Sequence, residues 1–187
     1  MATIRFATVR DLYEAFPIAQ DDVGAEPCDE PALDFLRALA EEENWEAAVS
    51  YCAYLLPRRA AVWWGCQSLR RIQPHRGPKD TAALEIAEAW VRDPEEQSRR
   101  AALDFGTEGD HRAPATWMAL AAGWSGGSVV PLEFGHAPAA PYQTARAIRA
   151  GLLGAMAWAP NEGLGKVMKE CLEQGVKLAS ASGDAAG

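Results

Sequence analysis

Apolar positions recur at three- and four-residue intervals along most of the chain, the spacing that lines one side of a helix rather than one face of a strand. Thr8, a favourable N-cap, precedes Val9, Leu12 and Phe16, which predicts a short helix stopping at Pro17. Ahead of it, residues 3–8 alternate briefly and read as extended. Residues 20–30 are acid-rich, contain Gly24 and Pro27, and read as a loop. Pro31 suits the first turn of a helix with Leu33, Leu36, Leu39 and Ala40 on its apolar side and Glu41, Glu42 and Glu43 closing it toward solvent. Asn44 is placed to cap the next helix, with Trp45, Val49, Cys52 and Leu56 in one stripe. Pro57 cannot continue that helix but can open another, predicted over 58–72, which buries Val62, Cys66 and Leu69 with Trp63 beside them. So short a joint predicts an antiparallel hairpin.

The same spacing continues to the end of the chain. Asp80 is expected to cap a helix carrying Leu84, Ala87 and Val91, and Asp93-Pro94-Glu95-Glu96 reads as the start of another that runs to about Phe105. After a polar loop over 106–113, Pro114 opens an Ala-rich helix with Trp117, Leu120 and Trp124. Residues 125–141 hold Gly and Pro throughout and form the longest irregular stretch, with room for a short strand at Val129 and Val130. Helices over 142–158 (Ala145, Ile148, Leu152, Met156) and after Pro160 (Leu164, Met168, Leu172, Val176) complete the pattern. The reading is all-α: a single-domain array or orthogonal bundle of about seven to nine helices over 1–179, with 180–187 a frayed tail. No fixed repeat period survives counting.

Composition supports helices and narrows the function. Of 187 residues 37 are Ala, and 49% are apolar against 24% charged, ordinary values for a globular chain with a real core. The net charge of -8 argues against nucleic acid as a partner, and no apolar run reaches the roughly 20 residues of a membrane span. No basic-then-apolar leader is visible, so a cytoplasmic location is expected. Cys28, Cys52, Cys66 and Cys171 lack zinc-ligand spacing, and His75, His111 and His136 are scattered, so no metal or cofactor is expected.

Strings that resemble catalytic motifs fail on context. Gly123-Trp124-Ser125-Gly126-Gly127 fits G-x-S-x-G, but a helix precedes the serine where a nucleophile elbow needs a strand. The glycines read instead as a helix C-cap. Asp104-Phe105-Gly106 lacks every other part of a kinase. No catalytic residue is assigned, and an enzyme with a site in the Gly123–His136 loop stands only as a minor alternative.

Charge and aromatic placement carry more. From Asp11 to Glu46 there are twelve acids against Arg37 alone, whereas Ala47 to Lys79 contains six bases and no acid. The two segments can cancel by packing together, or the basic one, with Arg58, Arg59, Arg70, Arg71 and Arg76, can face an acidic partner. Among seven Trp, the neighbours Trp63 and Trp64 point about 100° apart on a helix, so one belongs in the core and the other at its border or at an interface. Trp and Arg together are the usual anchors of protein interfaces.

The string from Ala53 to Cys66, AYLLPRRAAVWWGC, resembles the "AYLLPRRxAVWWxC" signature of a bacterial domain family of unknown function. Phe16-Pro17, Phe35-Leu36-Arg37-Ala38-Leu39, Ala89-Trp90-Val91 and Trp124-Ser125-Gly126-Gly127-Ser128 resemble its flanks, so the similarity spans about residues 8–160. Ala60 departs from the acid that the family carries there. The resemblance implies no activity, and it implies an association with type VI secretion genes. The expected function is a non-catalytic helical accessory or adaptor protein that binds another protein through Arg58, Arg59, Trp63, Trp64 and Arg70. The alternative is an immunity-like protein that neutralises a toxin through the acidic surface of residues 21–46.

Overall fold

A computed structural model describes residues 5–130 and 132–181. Among them are ten α-helices: α1 (Val9–Ala15), α2 (Ile18–Val23), α3 (Ala32–Glu41), α4 (Trp45–Leu55), α5 (Arg58–Ile72), α6 (Pro78–Arg92), α7 (Glu96–Glu108), α8 (Pro114–Gly123), α9 (Gln143–Trp158) and α10 (Leu164–Ala181), with a 3-10 turn at Leu132–Phe134. Two isolated bridges, Thr8 with Pro31 and Ser128 with Pro138, are the only β pairings among the described residues. The chain is therefore all-α, as its periodicity predicts.

Several caps form as their residue types require. Thr8 and Asp11 make a reciprocal capping box: the Thr8 hydroxyl accepts from the Asp11 N–H at 3.2 Å, and the Thr8 N–H donates to the Asp11 carboxylate at 2.9 Å. The Asn44 side chain accepts from the Ala47 N–H at 3.4 Å. The additional helix is α2, whose last four residues, 20–23, fall within the stretch expected to form a loop. Ala19 and Val23, one turn apart, bury one side of it, Asp21 faces solvent, and Gly24 ends it at φ 73° with its N–H on Gln20 O.

Other boundaries move for identifiable reasons. α6 begins at Pro78, two residues before the expected cap, because the proline fits its first turn. Asp93 closes α6, and α7 opens at Glu96, passes Phe105 and ends at Glu108. No strand forms at Val129 and Val130. α10 takes in Ser180 and Ala181 from the expected tail, whose remainder, 182–187, lies outside the described residues, as do Thr3 and Ile4 of the expected extended start.

Within what the periodicity reads as one domain, the backbone clusters into two compact units. One holds the residues up to Pro57 and those from Pro160 onward, with α4 at its centre against α2, α3 and α10. Every residue of α4 from Ala47 to Leu55 is buried. The other holds Arg58–Ala159, with α8 at its centre against α5, α6, α7 and α9. The boundary between the units falls between Pro57 and Arg58, at the joint of α4 and α5.

α8, reading PATWMALAAG, is apolar on all sides, which is what a helix at the middle of a unit needs. Its seam with α7 is closed by glycines. A Cβ on Gly123 would lie 2.6 Å from Leu103 Cα, and one on Gly106 would lie 2.9 Å from Leu120 N. Both distances are too short for any side chain.

Candidate protein-interaction site

The second unit presents the arginine- and tryptophan-bearing helix α5. At 100° per residue, Arg59, Trp63, Gln67 and Arg70 fall within an arc of about 80°. On that arc Trp63 is 37% exposed, Arg59 is exposed, and Gln67 and Arg70 are half-buried, with exposed Arg71 just beyond its edge in the last turn. The opposite side carries Ala61, Val62, Trp64, Gly65, Cys66, Ser68, Leu69 and Ile72, all buried, with Trp64 at 0%. The pair is therefore divided between core and surface. Val62, Cys66 and Leu69 are in the core as expected, but Trp64 rather than Trp63 accompanies them.

The guanidinium groups on the accessible arc are held by α6. Arg59 Nε donates to Val91 O at 2.7 Å and its Nη2 to Arg92 O at 3.5 Å. These are among the last carbonyls of α6, where a cation also meets the negative end of the helix dipole. Arg70 makes a two-pronged contact with Glu88, Nε to Oε1 at 2.9 Å and Nη2 to Oε2 at 3.0 Å, and Gln67 Nε2 joins at 3.1 Å. The Glu88 carboxylate raises the Arg70 pKa above its ordinary value against the opposing effect of burial. The three polar side chains thus stand in fixed positions around Trp63.

Arg58, at the start of α5, turns to a different target. Its Nη1 donates to Ser125 O at 2.7 Å and its Nη2 to Pro141 O at 3.5 Å, so one guanidinium joins the two ends of the 125–141 loop. Two arginines of α7 hold the same segment. Arg99, 4% exposed, donates to Gly123 O at 2.5 Å and Ser128 O at 3.1 Å, and its remaining N–H groups meet Glu96 at 2.7 and 2.6 Å. Arg100 donates to Val130 O at 3.2 Å. Gly127, at φ 61°, lies so near Arg99 that a Cβ there would sit 2.8 Å from its Nε. Hydrogen bonding from Arg99 holds the Glu96 carboxyl below its ordinary range, while burial opposes the shift.

Within the loop, the Ser128 hydroxyl accepts from Ala137 N–H at 3.2 Å and donates to Val130 O at 2.8 Å. Ser125 enters the arrangement through its main chain, its N–H donating to Ala122 O at 3.1 Å and its carbonyl accepting from Arg58. His136 is exposed. Sequence reasoning assigned Arg58 to a surface patch and left Arg99 and Arg100 unassigned, because the carbonyls they hold lie 24 to 67 residues away at the main contacts.

In the first unit, many acids of residues 11–46 are engaged locally. Asp22 accepts from the Tyr54 hydroxyl at 2.5 Å, Asp29 pairs with Arg10 at 2.7 Å, Asp34 with Arg37 at 2.7 Å and Glu43 with Lys169 at 3.0 Å. A cleft of about 540 Å³ lies between α3 and α10 over Ala40, Leu172 and Val176, rimmed by Arg37, Lys169 and Lys177 together with Glu41 and Glu173. Among the described residues no group of three His, Cys, Asp or Glu is arranged to hold a metal, and no helix is long and apolar enough to cross a membrane.

Fold and site together define an all-helical protein whose Trp- and Arg-bearing helix serves as core on one side and as surface on the other. The chain belongs to the family of unknown function DUF6931, whose family model matches residues 35–179. That span includes all of α5 and the arginine-held loop, and it starts later and ends later than the sequence resemblance implies. No curated protein and no solved structure matches the chain.

Proposed function

We propose that this protein is a non-catalytic accessory or adaptor protein that binds another protein through the accessible face of α5. The observation that carries the reading is the setting of Trp63: a large aromatic ring, 37% exposed, flanked on one arc by Arg59 and Arg70, whose side chains α6 already holds in place. Side chains fixed before binding lose less entropy on association, and Trp and Arg are among the residue types enriched at energetic centres of interfaces. Arg58 and Trp64 support that face from behind, the first by fixing the neighbouring loop and the second by filling the core. The net charge of -8 favours a protein partner over nucleic acid. The assignment of that partner to a type VI secretion system rests on the sequence resemblance, and such components are the first baits to try.

The test is capture from a lysate of the source organism by folded wild type, Trp63→Ala and Arg59→Gln. A protein retained by wild type and lost from Trp63→Ala supports the reading. Equal retention by all three removes α5 as the interface.

A further inference from the structure

We infer that the α5 face takes an acidic segment of another protein: a carboxylate that grips the Arg59 guanidinium while an apolar side chain beside it lies against the Trp63 ring. The inference rests on the protein-binding reading and adds the chemistry of the segment that is bound.

The charge around Trp63 is positive and set locally. The unit that carries α5, Arg58–Ala159, holds twelve Lys or Arg residues against ten Asp or Glu, whereas the rest of the chain holds six against sixteen. α5 itself contains Arg58, Arg59, Arg70 and Arg71 and no acid. On the neighbouring α6, Glu88 is taken up by Arg70 and Gln67, and Glu85 acts on Arg70 as well. Among the described residues no carboxylate pairs with Arg59, not even exposed Asp93 at the C-terminal end of α6. Arg59 is held instead by the main-chain carbonyls of Val91 and Arg92, which fix its direction without cancelling its charge. Exposed Arg92 adds a second cation at this end of the arc.

Arg59 and Trp63 stand four residues apart on one helix, so their side chains are neighbours, and both are exposed. A guanidinium has five N–H groups. Two nitrogens of Arg59 donate to the carbonyls, and its other N–H groups make no contact among the described residues. They are open to a carboxylate, which forms a charge-assisted bond with a side chain already ordered, while the ring beside it covers an apolar neighbour. A nucleic-acid strand is matched less well, because it needs a track of uncompensated cations and the next one along the arc, Arg70, is occupied by Glu88.

The test places the photo-cross-linker p-benzoylphenylalanine at Trp63 of the full chain, aromatic for aromatic, in cells of the source organism, with the same cross-linker at exposed Glu108 as control. The expected result is a discrete protein adduct at 63 and not at 108, joined to a peptide that carries Asp or Glu beside an apolar residue. Arg59→Gln, in a chain with the circular dichroism of wild type, lowers the yield about tenfold or more. Changing the partner's acid to its amide does the same with this chain unaltered, which separates lost recognition from lost folding. No adduct above control, an adduct to nucleic acid, to lipid or to a second copy of this chain, a peptide without an acid, or a yield indifferent to either change overturns the inference. A discrete protein adduct whose peptide lacks an acid, or whose yield is indifferent to those changes, leaves the α5 reading standing and refutes only the acidic segment. No protein adduct at 63 refutes both.

Discussion

Two neighbouring tryptophans should respond to the same substitution to clearly different degrees. Trp64 is 0% exposed on the buried side of α5, so Trp64→Ala removes a whole ring from a packed site and leaves a cavity, at a cost of about 3–5 kcal/mol. Trp63 is 37% exposed. Full burial of a large apolar side chain is worth about 1.5–3 kcal/mol, roughly 60% of that is at stake, and water refills the space, so Trp63→Ala should cost about 1–2 kcal/mol. The gap of about 2–3 kcal/mol is read from urea titrations followed by far-UV circular dichroism, because removing a Trp alters the fluorescence signal itself. Trp63→Ala as destabilising as Trp64→Ala, or the order reversed, would refute the division of the motif into core and surface.

Other consequences follow from particular contacts. Gly123→Ala forces a methyl to within 2.6 Å of Leu103 Cα and should cost about 1–3 kcal/mol in the same titration, whereas Gly126→Ala, with nothing near its Cβ, should not do so through crowding. Glu96 has its carboxyl pKa lowered in the folded chain, first by the hydrogen bond from Arg99, so ionised Glu96 stabilises the fold above the ordinary carboxylate range. That contribution is lost as pH falls through the lowered value, and the difference in Tm between wild type and Glu96→Gln should shrink from pH 6 to pH 3; a constant difference would contradict it. Burial raises the pKa of the Cys52 and Cys66 thiols and Cys171 is buried, so a thiol reagent at pH 8 should modify half-buried Cys28 first in the native protein and the other three only on unfolding.

Elements whose signals are local were legible in the sequence. Pro57 and the spacing of Val62, Cys66 and Leu69 delimit α5 at its observed bounds, and the caps at Thr8 and Asn44 act as their side chains require. α2 was missed because acids at 21 and 22 outweigh two buried positions, although Gly24 marked its end. α7 outran Phe105 because Gly106 is a packing residue against Leu120, not a stop, a distinction that only the neighbouring helix supplies. The division of Trp63 and Trp64 was readable in part, since Arg59, Gln67 and Arg70 share Trp63's arc, whereas Ala60, Ala61 and Ser68 lie near Trp64 and only Arg71, in the last turn, puts a charge beside it. The arginine ties to the loop were not readable. Their acceptors are main-chain carbonyls, which every residue has, so charge counting placed Arg58 with Arg59 on one patch when the two bind different segments.

If the exposed half of the α5 motif recognises a protein, removing the Trp63 ring must weaken that complex. The most direct measurement is the Kd of the captured partner for wild type and for Trp63→Ala, both verified as folded. Trp63→Ala should weaken binding by about tenfold or more. An unchanged Kd would contradict it and leave α5 a structural helix only.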